Sequence, residues 1–221
     1  MNKILIAVIC YNEIKTIGEL LDKIKLLPSL HKFDVVIFDD CSDDGSVEVV
    51  QKCGFNFITN KATRGYSSNV MNSFSYFMNN EVYNSIILMD ADLEHDPDYI
   101  ELFINKYPNA DLVIGNRSHK NRWAENISGV FFSLIGSRID PFCGMRKISR
   151  SFLQEFLQHN NSYYDGVSLP VFWAKTAAHF QLQSLPIKVG VRQDLPRFGK
   201  GLKSNLKLLS GFARALRYVK S

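Results

Sequence analysis

Short apolar segments alternate with segments of helical periodicity through the first 117 residues of the chain. The first apolar segment is Lys3–Cys10, and one face of a helix follows it at Ile17, Leu20, Leu21 and Ile24. Short buried strands joined by helices form parallel sheets, because a parallel connection must cross back over the sheet. We therefore predict an α/β fold with a mostly parallel sheet and helices on both faces.

The remaining segments are assigned on the same pattern. Four further apolar segments predict strands at Asp34–Asp39, Phe55–Thr59, Ile86–Met89 and Asp111–Asn116. A helix is predicted over Pro97–Lys106. The later part of the chain is less regular, with a polar loop predicted over Ser118–Asn126, a helix over Gly166–Ala178 and a strand over Leu185–Val189.

Two aspartates, Asp90 and Asp92, directly follow the apolar run Ile86–Met89. Side chains two apart on an extended chain point the same way, so both carboxylates can converge on one hard cation. Ligands of open α/β sheets bind at the carboxyl ends of the strands, where a divalent metal would carry a diphosphate. The alternative is an Asp-rich turn that caps the helix beginning near Pro97 and holds no metal.

Two other loops carry candidate binding groups. The turn Asp39–Ser46 offers acceptors for a ribose and a base edge, with Ser46 capping the next helix, or it is simply a solvated acidic loop. The small residues of Asn60–Asn69 precede an amphipathic helix. They would let its N-terminus approach a phosphate, with Arg64 or Lys61 adding positive charge.

Charge is distributed unevenly along the chain. Residues 186–221 hold nine Lys and Arg side chains and one acidic side chain, Asp194, whereas the preceding residues are net negative. A basic segment attached to an acidic body indicates an anionic surface or an anionic acceptor as partner. No apolar run approaches the roughly 20 residues that span a bilayer, and the first residues are unlike a cleavable signal peptide, so we predict a cytoplasmic protein.

The last twenty residues have the periodicity of an amphipathic helix. Apolar residues recur at steps of four and three, and basic residues follow one position later, as Leu202, Leu206, Leu209, Ala213 and Leu216 beside Lys203, Lys207, Arg214 and Arg217 show. One interpretation is that the apolar face docks on the body of the protein. The other is that the helix lies on an anionic membrane or on a membrane-embedded partner.

Seven blocks of the sequence, in order, resemble the motifs of family 2 glycosyltransferases of the GT-A fold. Within that family they are similar to the polyprenyl-phosphate sugar synthases, such as the dolichol-phosphate mannose or glucose synthases. The blocks are Ala7–Glu13, Phe38–Ser46, Arg64–Asn69, Met89–Pro97, Ile114–Arg117, Asp140–Arg146, and Pro186–Ile187 with Arg192.

The resemblance implies inverting, metal-dependent transfer of a sugar from a GDP- or UDP-sugar to a polyprenyl phosphate. The basic amphipathic stripe from about Leu202 onward predicts a peripheral enzyme at the inner face of the membrane, held there by anionic lipid or by a small membrane subunit, and we expect no nucleic acid as partner. One catalytic domain would cover residues 1–200, with a nucleotide-binding half over 1–117 and an acceptor-side half over 118–200. The amphipathic helix would occupy residues 201–221.

The resemblance also implies roles on the donor side. Asp92 would be the direct ligand of Mg²⁺ or Mn²⁺, with Asp90 directed toward the ribose or the metal. Glu94 stands where these synthases usually carry Gln, and it adds a third candidate metal ligand. The remaining donor-binding residues would be Tyr11, Glu13 near the ribose, Asp39 and Asp40 near the nucleoside, and Arg64.

On the acceptor side, cationic side chains would position an anionic phosphate. Arg117, Arg146 and either Arg192 or Arg197 can do so through bidentate contacts. A phosphate oxygen is already ionised and needs no general base. If the acceptor is instead a glycan hydroxyl, as in polysaccharide assembly, a carboxylate must take its proton, and Asp140 is the candidate.

Three other functional classes also fit single features. A haloacid-dehalogenase-type phosphatase would place Asp-x-Asp after the first strand rather than after the fourth. A sugar-phosphate nucleotidyltransferase would want a Gly-rich loop where Tyr11–Glu13 stands. A non-catalytic nucleotide-sugar-binding scaffold would be expected to lose its carboxylates, whereas Asp90 and Asp92 are both present.

Overall fold

The computed structural model describes residues 3–118, 123–160, 164–176, 179–190 and 201–220. Strands and helices alternate over most of these residues, as the sequence predicts. The strands are β1 Lys3–Cys10, β2 Phe33–Asp39, β3 Asn56–Thr59, β4 Tyr83–Asp90, β5 Leu112–Arg117, β6 Arg146–Ser149 and β7 Leu182–Ile187. The α-helices are α1 Ile17–Lys25, α2 Ser46–Lys52, α3 Tyr66–Met78, α4 Tyr99–Asn105, α5 Trp123–Leu134, α6 Arg150–Asn160, α7 Ser168–Thr176 and α8 Leu202–Tyr218.

The strands form a single sheet in the order β3-β2-β1-β4-β6-β5-β7. The strand β1 pairs in parallel with both β2 and β4, whereas β6 pairs antiparallel with β4 and β5. Leu5, Ile6, Ala7 and Val8 are all completely buried, so both faces of β1 are covered, because successive side chains point to opposite faces. The predicted mostly parallel α/β sheet is confirmed.

Several local predictions differ from the structure. The polar loop predicted over Ser118–Asn126 is wrong at its end, because α5 already begins at Trp123; residues 119–122 lie outside the described part of the chain. Ser46 does not cap α2 from outside, since it is the first residue of that helix and Gly45 occupies the N-cap position. The strand β6 and the helix α6 were not predicted. The division of the chain at residues 117 and 200 stays a prediction.

One face of α8 packs on the body of the protein. The Phe212 ring lies 5.3 Å from the Phe131 ring and 6.2 Å from the Phe132 ring of α5, measured between centroids. Asn205 accepts a hydrogen bond from the backbone N–H of Ala124 at 3.1 Å, near the start of α5. This face of α8 is therefore part of the core. No helix of the described residues has both the length and the apolarity needed to cross a bilayer.

We expect Phe212→Ala to lower the free energy of unfolding by about 3 kcal/mol, because it removes a buried aromatic ring from the contact between α5 and α8. Urea denaturation followed by circular dichroism measures the change. The matched control is Leu206→Ala on the same helix, whose side chain is 53% exposed and which should stay within about 0.5 kcal/mol of the wild type. Equal effects of the two substitutions would contradict the docked position of α8.

Candidate active site

A cavity of about 670 Å³ lies at the carboxyl ends of β1, β2 and β4 and extends to the loops and helices of the second half of the chain. This is the size range of small-molecule binding sites. Most of the predicted site residues line it, namely Tyr11, Glu13, Asp40, Arg64, Asp90, Asp92, Glu94, Arg117 and Arg146. Asp39 and Asp140 do not line it, and Arg192 and Arg197 lie outside the described residues.

The loops that follow β1, β2 and β4 are linked to one another by hydrogen bonds. The backbone N–H of Asn12 donates to Ser42 Oγ at 2.8 Å, and that of Glu13 donates to Ser46 Oγ at 2.9 Å. Thr16 Oγ1 donates to the carbonyl of Ala91 at 2.8 Å, which joins the first loop to the loop carrying Asp90 and Asp92. The cavity therefore has a preorganised rim on this side.

A left-handed residue other than glycine occurs in each of these three loops. The φ angles are 52° at Asn12, 64° at Cys41 and 57° at Leu93. Such conformations cost on the order of 1 kcal/mol or more for residues with a side chain and are most often kept at functional sites. At these left-handed residues the chain reverses direction sharply, just after the strands end and beside the cavity.

The two acidic residues at the end of β2 have different surroundings. Asp40 accepts hydrogen bonds from the backbone N–H groups of Arg64 at 2.9 Å and Gly65 at 2.7 Å, just before α3. A carboxylate thus occupies the position near this helix N-terminus where we predicted a phosphate. Asp39 is completely buried and accepts hydrogen bonds from the backbone and hydroxyl of Ser42. Its contact with a nucleoside stays a prediction.

Asp90 and Asp92 both line the cavity, although not for the predicted reason. Asp90 is the last residue of β4, but the chain turns at Asp92, so the premise of an extended chain is wrong. A Cβ atom on Gly144 would overlap the Asp90 carboxylate, so the glycine makes room for that group. Burial, and next the charge of Asp90, raises the pKa of Tyr66, whose hydroxyl is hydrogen-bonded to Asp90 and stays protonated at neutral pH.

The metal-binding role of Asp90, Asp92 and Glu94 stays a prediction. Within the described parts of the chain, no group of three or more His, Cys, Asp or Glu side chains is arranged to hold a metal ion. Asp92 Oδ1 accepts a hydrogen bond from the backbone N–H of Glu94 at 3.1 Å, in a local turn.

Arg117, at the end of β5, is held by two buried carboxylates. Its Nε and Nη2 atoms donate to Asp140 at 2.5 and 3.2 Å, and Nη2 lies 3.4 Å from Glu125 of α5. Burial alone would lower the pKa of Arg117, but the hydrogen bond and charge of Asp140, with the charge of Glu125, outweigh it and raise that pKa. Asp140 is completely enclosed in this contact, and its predicted role as a general base stays untested.

Arg146, the first residue of β6, is buried, and its hydrogen bonds within the described residues go to backbone carbonyls. Its Nε donates to Cys143 at 2.8 Å, and its Nη2 donates to Pro141 at 2.9 Å and Gly166 at 2.5 Å. The third nitrogen, Nη1, is buried without a hydrogen-bond partner among the described residues. None of these carbonyls carries a charge that would compensate the guanidinium of Arg146 at the wall of the cavity.

Sequence reasoning missed His95, which also lines the cavity. Its Nε2 lies 3.5 Å from the thiol of Cys143, and its Nδ1 has no hydrogen-bond partner among the described residues. Burial is the main cause that lowers the pKa of His95 to about 4, so the imidazole is neutral at physiological pH. The signal was available, because His95 lies inside the acidic block Met89–Pro97.

The charges that line the cavity are segregated along the chain. Residues before position 95 supply mainly carboxylates, namely Glu13, Asp40, Asp90, Asp92 and Glu94, with Arg64 as the cation described there. Residues after position 116 supply the other described cations of the lining, Arg117, Arg146, Lys207 and Arg214. Carboxylates therefore predominate among the lining residues of the first half of the chain, the acidic side, whereas cations outnumber the carboxylates Glu125 and Asp165 among those of the second half, the cationic side.

The sequence profile described as Glycosyl transferase family 2 matches residues 5–147, which is more than half of the chain and includes both aspartates after β4. The chain belongs to glycosyl transferase family 2. It is therefore a glycosyltransferase. The profile also includes Arg117, Asp140 and Arg146, so it extends over the opposite sides of the cavity.

The chain is similar in sequence to two individual proteins, over different shares of their lengths. The family 2 chain is 29% identical to an uncharacterized protein of Methanocaldococcus jannaschii over 68% of its own length and 74% of the relative. It is 30% identical to a dolichol-phosphate mannosyltransferase of Pyrococcus furiosus over 56% of its own length. It spans only 36% of that longer protein.

Among solved structures, the chain is similar to glucosyl-3-phosphoglycerate synthase from Mycobacterium tuberculosis in complex with Mn²⁺, UDP and phosphoglyceric acid. The TM-score is 0.77 at 14% sequence identity, with 100% of this chain and 80% of that chain covered. This likeness establishes that the family 2 chain has the same fold, the GT-A fold.

We expect Asp140→Asn to lower the free energy of unfolding by about 2 kcal/mol, because it removes the charge that pairs with buried Arg117. Urea denaturation measures this change in the free energy of unfolding. The matched control is Asp22→Asn, which breaks an exposed ion pair with Lys25 at 3.4 Å and should leave stability unchanged. An Asp140→Asn variant as stable as the wild type would show that this carboxylate does not hold Arg117.

Proposed function

We propose that the protein transfers a sugar from a nucleotide-diphosphate sugar to an acceptor that carries a phosphate group. The observation that carries this proposal is that the carboxylates after β1, β2 and β4 and four cations of the second half of the chain line one cavity. A metal-bound diphosphate is suited to the acidic side, and an anionic acceptor is suited to the cationic side. The two would then meet in the centre of the same cavity.

The donor set fits a hard divalent ion. Asp92 and Asp90 offer oxygen ligands, and Mg²⁺ is commonly bound through one or two carboxylates together with substrate phosphates and water. A set smaller than three carboxylates is therefore enough. The space that Gly144 leaves beside Asp90 supports the assignment, because a side chain there would displace this carboxylate. When bound, Mg²⁺ or Mn²⁺ would neutralise charge on the departing nucleoside diphosphate.

The residues on the acidic side would hold the donor's nucleoside. Glu13 and Asp40 line the cavity there, and both sit in the loops that are linked by hydrogen bonds, so their positions are fixed before the donor arrives. Tyr11 offers an aromatic face and Arg64 an exposed positive charge. This division assigns nucleoside recognition to the loops after β1 and β2 and the sugar to the space between Asp92 and Arg117.

An anionic acceptor is favoured over a neutral hydroxyl by the position of Asp140. Asp140 is the general base predicted from the sequence, and it is enclosed in its contact with Arg117. It therefore has no surface on the cavity. A phosphate oxygen needs no base, because it attacks as an anion. It would form the new bond to the anomeric carbon as the bond to the diphosphate breaks, on the opposite face, which inverts that centre.

The similar proteins support a phosphorylated acceptor. The name of the Pyrococcus furiosus relative includes dolichol phosphate, and the Mycobacterium tuberculosis synthase was crystallised with phosphoglyceric acid. One is a lipid phosphate and the other is a water-soluble phosphate. For this chain we favour the polyprenyl phosphate, with Arg117 and Arg146 near its phosphate. Arg192 or Arg197 remains a predicted third contact.

The exposed surface of α5 supports the lipid-borne form of that acceptor. Trp123, Ile127, Val130 and Leu134 follow at steps of four, three and four, and each is at least 45% exposed, so they form an apolar stripe on one face of the helix. The neighbouring helix α8 exposes Lys203 and Arg217 and contains no acidic residue. An apolar stripe beside basic side chains matches the interface of an anionic bilayer.

We expect Asp92→Asn to lower metal-dependent sugar transfer at least about 100-fold, since it removes an anionic metal ligand and with it several kcal/mol of charge stabilisation. Release of UDP or GDP from a panel of nucleotide sugars, with Mn²⁺ or with EDTA, measures the effect. Asp96→Asn is the matched control, because Asp96 is exposed on the same loop and does not line the cavity. Turnover that survives both EDTA and Asp92→Asn would reject the metal role.

We expect the double variant Ile127→Ser and Val130→Ser to lose flotation with vesicles that contain anionic lipid, because it interrupts the apolar stripe. The control, Leu26→Ser, alters a more exposed leucine just after α1, at 83% exposure, and should float like the wild type. If the α5 variant floats like the wild type, this surface does not bind the membrane.

A further inference from the structure

Basic side chains of α8 reach the cavity as well as the outer surface. Lys207 and Arg214 are seven residues apart, two turns along one helix face, and both line the cavity. Lys203 and Arg217 lie on the same helix but do not line it. The helix therefore carries a cavity pair, Lys207 and Arg214, and an outer pair, Lys203 and Arg217.

A glycine between the cavity pair brings α8 close to the cavity rim. A Cβ atom on Gly211 would lie 2.7 Å from Oδ2 and 3.2 Å from Oδ1 of Asp165, so a larger residue would push the helix or the carboxylate away. Arg214 donates to Ser210 Oγ at 2.7 Å and to Asp165 Oδ2 at 3.4 Å, which orients its guanidinium. The cavity pair is thus placed by packing as well as by charge.

The charge balance on the cationic side of the cavity explains why Lys207 and Arg214 would be needed. Arg117 is already matched by Asp140 and Glu125, so it brings little net positive charge to a ligand. A phosphomonoester carries a charge of about −1.5 to −2 at pH 7, more than the remaining Arg146 compensates. Lys207 and Arg214 are the other described cations of the second half of the chain that line the cavity. Arg214 is paired with Asp165 at 3.4 Å, but this pair is partly exposed, so it compensates the charge of Arg214 less than the buried carboxylates compensate that of Arg117.

We propose that Lys207 and Arg214 of α8 form a subsite for the phosphomonoester of the acceptor, so that the C-terminal helix selects the acceptor and does not serve only as a membrane contact. The subsite rests on the proposed function, because it presupposes that the donor occupies the acidic side. Arg214, oriented by Ser210 and Asp165, would present its guanidinium donors, and Lys207 would add a second positive charge.

The test compares the double variant Lys207→Gln and Arg214→Gln with the matched outer variant Lys203→Gln and Arg217→Gln. Calorimetric titration of the full chain with farnesyl phosphate and with 3-phosphoglycerate, in the presence of Mn²⁺ and saturating UDP or GDP, gives the affinities. We expect the cavity variant to weaken phosphomonoester binding by about tenfold or more and the outer variant by less than about twofold. Weakening with farnesyl phosphate alone would identify a lipid acceptor, and weakening with 3-phosphoglycerate alone a water-soluble one.

Two further measurements keep the subsite separate from the proposed function. Binding of UDP or GDP with Mn²⁺ should be the same in the cavity variant and the wild type; if the cavity variant loses nucleotide and keeps phosphomonoester, the subsite is overturned. Unchanged phosphomonoester affinity in a cavity variant with wild-type thermal unfolding overturns it as well.

A wild type that binds phosphomonoesters through these residues but no nucleotide would reject the proposed function and leave the anion subsite standing. The single variant Lys207→Gln, at an exposed position, repeats the test without altering the Arg214 contacts.

Discussion

The parallel pairing of β1 with β2 on one side and β4 on the other is the constraint on which the rest of the structure depends. It places Ile9 beside Asp90 and Cys10 beside Asp39, so three strands end at one edge of the sheet. Polar loops leave all three ends, and hydrogen bonds such as that from Thr16 to Ala91 link them. Carboxylates from distant parts of the sequence meet there because the sheet requires it.

The cationic part of the cavity lining depends on buried charges as well as on a strand end. Arg117 and Arg146 are enclosed by the protein, one by carboxylates and the other by carbonyls. Buried guanidinium groups are costly to desolvate and are kept where their direction matters. The two arginines therefore differ in what they offer a ligand, because carboxylates pair with Arg117 whereas Arg146 donates to uncharged carbonyls. The helix α8 completes this part of the lining.

The sequence predicted the first half of the fold well because its strands are apolar and its helices are strongly periodic. It failed at β6, whose four residues Arg146–Ser149 include two buried cations and have no strand-like alternation. That strand exists because it fits between β4 and β5, a long-range pairing that periodicity does not encode. The start of α5 was misassigned for a related reason, because Glu125 is polar yet buried against Arg117.

The order of the motifs predicted which side chains lie close together in the site. It did not predict the contacts that each of them makes. Asp40, Asp90 and Arg117 do line one cavity, whereas the enclosure of Asp140 and the presence of His95 required the tertiary structure. The contribution of α8 was also hidden, since its basic residues form one stripe in sequence and divide between cavity and surface only when the helix is docked.

The central claim is that one cavity joins a nucleotide-bound sugar to a phosphate oxygen. The most direct measurement is product analysis by ¹³C and ³¹P NMR after the full chain is incubated with a ¹³C-labelled UDP- or GDP-sugar, Mn²⁺ and a polyprenyl phosphate. The account predicts a glycosyl phosphodiester whose anomeric carbon has the configuration opposite to that of the donor. A donor left intact, or a sugar transferred to a hydroxyl while the phosphate stays unmodified, would contradict it.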